Sequence, residues 1–305
     1  MIVATKFISN LGESLGYLNW LLNPFHKLGT ETIYDLIGHG VPTSQGLYLN
    51  LGYWENATTL GEACEALARR IATIAELSQQ DRVLDCGFGF ADQDMLWARE
   101  FEPREIVGLN ITASQVTQAR ARVIQAGFSD HIDLRVGSAT EMPLDDASFD
   151  AVVALECAFH FRTRARFFAE AYRVLRPGGR LVTADIIPMT TMPQGLNRPR
   201  LSLGWRLMAN TFDIPKENAY PRDQYHDLLE RSGFLQIDIA SIRDQVYAPL
   251  HDYLRRNPDT VKALHPIARL PARATLLFSA EQLYSGLDYI VACAQKPAEE
   301  QKNYA

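Results

Sequence analysis

The side chains best placed to do chemistry fall in short runs that look like strand ends. The first run is Asp81-Arg-Val-Leu-Asp-Cys-Gly-Phe-Gly-Phe-Ala91, in which Val83 and Leu84 lead into Asp85 as an apolar strand and Gly87 and Gly89 follow. Glycine at both positions lets the backbone turn sharply and approach a ligand closely, and Asp92 to Phe101 can continue as a helix. Strand, glycine turn and helix together make a nucleotide-type binding corner. The dinucleotide fingerprint Gly-x-Gly-x-x-Gly is not met, because its third glycine falls on Asp92, and the loop carries no phosphate-holding Lys. NAD and nucleoside triphosphates therefore fit poorly.

The second run is Ala154-Leu-Glu-Cys-Ala-Phe-His160. A carboxylate such as Glu156 at a strand end in a cleft is costly without a partner, and a cationic ligand would supply one. His160 has a plain reading as a satisfied surface or core histidine. Its place after a ligand-side strand end, where it could face Asp185 at the end of the adjacent strand, favours a base oriented by a carboxylate. Asn110 closes another strand where such folds contact a ribose, and its neutral amide bonds hydroxyls less strongly than a carboxylate would. Thr112-Ala-Ser-Gln115 has capping-box spacing, so Gln115 is read either as a helix-cap partner or as a ribose ligand, and both can hold together. In Gly137-Ser138-Ala139 the small residues leave room for a flat ring. Ser138 could bond an adenine amino group and the amide of Ala139 a ring nitrogen, the plainer reading being a turn.

Alternating elements must position these groups. Apolar strands are expected at Glu105 to Asn110, Ile132 to Val136, Phe149 to Glu156, Arg180 to Ile187, Phe234 to Ile242 and Leu287 to Ala294, the last antiparallel at an edge or inserted. Helices are expected at Cys64 to Leu77, Thr112 to Ala126 and Arg164 to Leu175, the last ended by Pro177-Gly178-Gly179. The pattern implies a Rossmann-like α/β fold, a doubly wound, mostly parallel seven-stranded sheet with ligands outside the carboxyl ends of its strands. Residues 1–60 read as an N-terminal helical cover with an aromatic segment and 61–189 as the binding core. Residues 190–233 read as an inserted lid, 234–295 as completion of the sheet with a second helical insertion from about Leu250 to Tyr284, and 296–305 as a frayed tail.

The 305 residues, 47% hydrophobic and 22% charged, suit one large soluble domain with insertions. A formal net charge of -6 argues against a nucleic-acid partner. Four scattered cysteines, none in metal-binding spacing, indicate neither a zinc site nor a disulfide framework, and no metal is expected. No run is long enough for a transmembrane helix, and the expected location is cytoplasmic. Phe7 to Phe25 repeats apolar residues at helical spacing, which suits a packed cover, with a peripheral membrane contact as the alternative.

The set Asp85-x-Gly87-x-Gly89, Gly108-Leu-Asn-Ile111, Gly137-Ser-Ala139, Leu144-x-x-x-Ser148-Phe-Asp150 and Leu175-Arg-Pro-Gly-Gly179 resembles the class I S-adenosylmethionine-dependent methyltransferases over roughly residues 80–190. More narrowly, Gly46-Leu-Tyr-Leu-Asn-Leu-Gly-Tyr-Trp54, Gly87-Phe-Gly-Phe-Ala-Asp-Gln-Asp94 and Asp185-Ile-Ile-Pro188 resemble the sugar O-methyltransferases of the erythromycin and rebeccamycin pathways. The resemblance implies S-adenosylmethionine as cofactor, held by Asp85, Gly87, Gly89, Asn110, Ile111, Ser138, Ala139, Leu155 and Glu156. It also implies contacts of Tyr48 and Tyr53 with the methionine end and of Gln115 with the ribose. His160 and Asp185 match the family's catalytic pair, although Phe159 stands where those enzymes have a second histidine and Ala91 where they have a third glycine. The implied reaction is O-methylation of a small-molecule glycoside or polyketide-like acceptor. The alternatives are C-methylation or cyclopropanation of a lipid or isoprenoid, with Glu156, Phe159 and Phe161 around a carbocation, and a non-catalytic binding protein of the same fold.

Overall fold

A computed structural model describes residues 43, 46–189, 202–262 and 266–298. The expected N-terminal helix at residues 7–25 and residues 299–305 of the tail lie outside them. The described elements run α1 (Leu60–Ile74), β1 (Arg82–Cys86), α2 (Asp92–Glu100), β2 (Glu105–Asn110), α3 (Ala113–Gln125), β3 (Ile132–Val136), β4 (Phe149–Leu155), α4 (Arg164–Val174) and β5 (Leu175–Pro188). After an interval outside the described residues come α5 (Leu203–Thr211), α6 (Arg222–Arg231), β6 (Leu235–Ser241), α7 (Arg243–Arg256), α8 (Pro258–Lys262), α9 (Pro266–Thr275), α10 (Ala280–Leu283) and β7 (Leu287–Gln295).

The strands form one seven-stranded sheet in the order β3-β2-β1-β4-β5-β7-β6. β1 to β5 are parallel, and β7 is inserted antiparallel between β5 and β6. The central strands read as continuous apolar runs because alternate residues enter two different cores. Val83, Ile106, Val153 and Tyr289 join α1, α2, α3 and α7 on one face. Leu84, Val107, Val152 and Ile290 join Phe167 and Phe168 of α4 and Tyr225 of α6 on the other. β1 lies between β2 and β4, so its carboxyl end opens into the crevice where strand order reverses.

Two boundaries differ from expectation. Pro177-Gly178-Gly179 does not follow the end of a helix. Leu175 already pairs with Phe149, pairing resumes at Ala151 with Arg180, and the Pro-Gly-Gly residues form an irregularity inside β5, with Gly178 at φ 83°. The second helical insertion begins at Arg243, directly after β6. Lys296, expected at the start of a frayed tail, is buried and its ammonium donates to the carbonyls of Tyr172 and Leu175.

Candidate functional site

A cavity of about 370 Å³ opens at the carboxyl ends of β1, β2 and β4. Of the residues named from sequence, Tyr48, Gly87, Gly89, Asn110, Ile111, Gln115, Ser138, Ala139, Leu155, Glu156 and His160 line it, and Asp85, Tyr53 and Asp185 do not.

The glycine turn is a cradle that side chains would fill. Gly87 sits at φ 86°, and a Cβ there would lie 2.7 Å from Cys157. Gly89 sits at φ 57° against Leu49. Ala91, in the third glycine position, also adopts the left-handed conformation, at φ 64° and ψ 24°, which costs an L residue about 1–2 kcal/mol. Its methyl is fully buried, so the helix does leave room for it.

Asp85 is buried behind the turn and accepts from Gln93 Nε2 at 3.0 Å, and it is Gln93 that lines the cavity. Burial raises both Asp85 and its neighbour Asp94, and Asp94 the further, because the Asp85 charge beside it adds to its burial. Asp85 therefore reaches the site through Gln93. A second carboxylate, Asp92, is locked by a bidentate pair with Arg122 at 2.5 and 2.6 Å, and its carbonyl accepts from the Tyr48 hydroxyl at 3.4 Å. That fixes Tyr48 over the turn. The Arg122 contact had no signal in sequence, because it joins the first residue of α2 to the last turn of α3, thirty residues away.

At the end of β2, Thr112 makes no side-chain cap to α3, so Gln115 is not its capping partner. Instead Asn110 Oδ1 accepts from the Thr112 amide at 3.0 Å, and Asn110 Nδ2 donates to Gln115 Oε1 at 2.9 Å. This leaves Gln115 Nε2 buried without a hydrogen-bond partner among the described residues, in a side chain that lines the cavity. A buried, unpaired amide donor costs about 1–3 kcal/mol unless a ligand accepts from it, and a ribose hydroxyl is of the right chemistry. Ser138 both lines the cavity and makes the turn of its plainer reading, accepting from the Thr140 amide at 3.2 Å.

Glu156 leaves β4 at φ 53°, and its Oε1 accepts from the Leu51 amide at 2.6 Å and from the Tyr289 hydroxyl. Burial pushes its carboxyl up to about 7, against the opposing effect of those two donors. A cation bound in the cavity would favour the ionised form. The orphan amide, the glycine cradle and this carboxylate together fit the adenosyl and cationic ends of S-adenosylmethionine.

Asp185 does not orient His160. Its carboxylate is fully buried against Arg164, with Nε at 2.7 Å and Nη2 at 3.2 Å, and also accepts from the Tyr225 hydroxyl at 3.2 Å and the Ile186 amide at 2.9 Å. Arg164, from the first residue of α4, takes the charge that sequence position had assigned to the histidine. The His160 imidazole instead hydrogen-bonds to the backbone carbonyl of Phe212 and stacks obliquely on Phe159 at 4.2 Å. Burial, with Arg164 and Arg162 nearby, pulls it down to about 3, so it is neutral at physiological pH. Arg162, at the cavity wall, pairs with Asp213.

Tyr53 is also displaced from the site. Gly52, at φ 80° and packed on Ala63, turns the chain between Tyr48 and Tyr53, and the Tyr53 hydroxyl donates to Glu55 while its ring receives Arg70. Among the described residues, one cluster has metal-ligand proximity, His226, Asp227 and Glu230, exposed on α6 and apart from the cavity. No helix of the described residues is long and apolar enough to cross a membrane.

The family model described as "Methyltransferase domain" matches residues 84–183. The chain is 35% identical over 261 residues to erythromycin 3''-O-methyltransferase of Saccharopolyspora erythraea, covering 84% of this chain and 85% of that protein. It is 35% identical over 164 residues to 27-O-demethylrifamycin SV methyltransferase of Amycolatopsis mediterranei, covering 53% of this chain and 60% of that one. The structure of geranyl diphosphate C-methyltransferase from Streptomyces coelicolor A3(2) shares the fold, with a TM-score of 0.63 at 17% identity over 93% of this chain and 98% of that one.

Proposed function

The chain belongs to the class I S-adenosylmethionine-dependent methyltransferases, and from that membership we propose that it methylates a hydroxyl of a small-molecule natural product, a glycoside or polyketide-like acceptor. The observation that carries the reading is a neutral, oriented histidine, His160, in the same cavity as the glycine cradle and the unpaired Gln115 amide. The names of the two relatives described above, both methyltransferases of antibiotics, support the acceptor class.

The cofactor supplies a methyl group made electrophilic by its sulfonium. Gln115 Nε2 would hold the ribose and the ionised Glu156 carboxylate the cationic end, with Ile111 and Leu155 as apolar walls of the cavity. Most of the acceleration comes from aligning acceptor and methyl in a site closed to water. His160 accepts the proton of the attacking hydroxyl, its ring held by the Phe212 carbonyl in place of a carboxylate. A weak base suffices, because that proton becomes strongly acidic as the acceptor oxygen gains a carbon.

Replacement of His160 by Ala tests this. Turnover is expected to fall at least about tenfold, and by up to the ~10²–10⁴-fold that general-base catalysis contributes, with cofactor affinity nearly intact. Unchanged turnover would remove His160 from the mechanism. Incubation with labelled cofactor and a panel of macrolides, sugars and lipids, read by mass spectrometry, identifies the acceptor class. Methylation of lipids alone would replace it.

A further inference from the structure

We propose that Asn218, on the inserted segment between α5 and α6, is a positioning residue for His160. The inference rests on the reading of His160 as the base. His160 ends a single 3₁₀ turn, Ala158–His160, after which Phe161 is extended. The last carbonyls of so short a turn have no partners within it and must find donors elsewhere. Asn218 supplies them from more than fifty residues away. Its Nδ2 donates to the carbonyl of Phe159 at 3.0 Å and to that of Phe161 at 2.9 Å, the residues on either side of His160.

The third valence of the amide closes the clamp. Asn218 Oδ1 accepts from the Arg164 amide at 3.0 Å, and its backbone carbonyl accepts from Arg164 Nη1 at 2.5 Å. Two acceptors facing one nitrogen and one donor facing the oxygen fix the orientation of the amide unambiguously. Asn218 is fully buried, as is Arg164, whose guanidinium runs on to Asp185 and to the Ile186 carbonyl at 2.8 Å.

The same inserted segment also holds the imidazole, through the Phe212 carbonyl. Residues 212–218 thus grip His160 by its ring and by its backbone, and Asn218 is the only one of the two grips that a side-chain substitution can release. No other standard side chain of this size has two donors on one atom beside an acceptor. Asp at this position keeps the shape but sets an oxygen against two carbonyls.

The test uses the full chain with Asn218→Ala, Asn218→Ser and Asn218→Asp, alone and with His160→Ala. A displaced base predicts a fall in kcat of about 10- to 100-fold, with cofactor affinity by isothermal titration close to wild type. In the His160→Ala background the same Asn218 substitutions should change the residual rate by less than about threefold, since residues acting as one unit are not additive.

Wild-type kcat in the Asn218 variants, or losses that multiply in the double variants, would overturn the proposal while leaving His160 in place. Loss of cofactor binding in all three variants would assign Asn218 to the fold at large and also overturn it. Unchanged turnover in His160→Ala alone would instead remove the underlying reading, so the two failures are distinguishable.

Discussion

The cofactor corner and the turn that carries His160 face the same cavity but are held in different ways. Within the corner, the glycine turn and the Asn110–Gln115 pair are built from contiguous strand–turn–helix chain. Gly87 bonds the Leu109 carbonyl of the neighbouring strand through its amide at 2.7 Å, and Asn110 and Gln115 complete their pair within six residues. The His160 turn depends on the Asn218 side chain of the inserted segment, which is hydrogen-bonded to Arg164 at the start of α4, and Arg164 is in turn ion-paired with Asp185 of β5. Local, backbone-made sites tolerate change outside them. A site assembled by distant buried polar groups fails when any one of them is removed.

The largest effect should come from breaking the second kind of support. Arg164→Met leaves Asp185 buried and uncompensated, and urea denaturation should show a loss of about 3–5 kcal/mol. Asp185→Asn should likewise lose stability. A loss of turnover in Asp185→Asn at wild-type stability would restore Asp185 as the orienter of His160.

That exchange of partners shows where sequence stops being informative. β2 and β3 were legible to the residue, and β1, β4 and the glycine turn nearly so, because a parallel sheet buried on both faces writes its strands as apolar runs with turn residues between. Strand-end position was enough to bring Glu156, Asn110 and Gln115 to the cavity. It could not say which way a side chain turns. Asp185 is within one strand of the site, yet Arg164 and Tyr225 claim it, and both contacts depend on how α4 and the insertion pack. Tyr53 failed for a related reason, the left-handed turn at Gly52. Tyr289 and Asn218 gave no signal, since neither lies in a motif.

On the corner side, Gly87→Ala sharpens the contrast. The added Cβ meets Cys157 at 2.7 Å in a left-handed backbone, a strain of about 1–3 kcal/mol. The expected result is cofactor affinity weaker by about 5- to 150-fold by isothermal titration, part of the strain passing into the His160 turn because Cys157 heads it. Binding at wild-type affinity would mean that the cradle does not touch the cofactor.

The smallest effects should appear in pH dependence, and they separate the two halves most finely. Glu156 titrates in the free protein near 7, so its carboxylate is mostly ionised at pH 8 and mostly protonated at pH 6. If the ionised form binds the cationic end of the cofactor, affinity should fall as pH is lowered, by up to about tenfold across those two units. Glu156→Gln should flatten the dependence. His160, pulled down to about 3, adds no inflection in that window because it is neutral throughout. Tyr289 gives the directional check. Its hydroxyl donates to Glu156 and favours the charged form, so Tyr289→Phe should move the midpoint to higher pH and weaken binding slightly at neutral pH. A midpoint that moves down, or does not move, would mean that the carboxylate acts through some partner other than this hydroxyl. A pH profile that Glu156→Gln leaves intact would take the titrating group out of the cofactor half altogether.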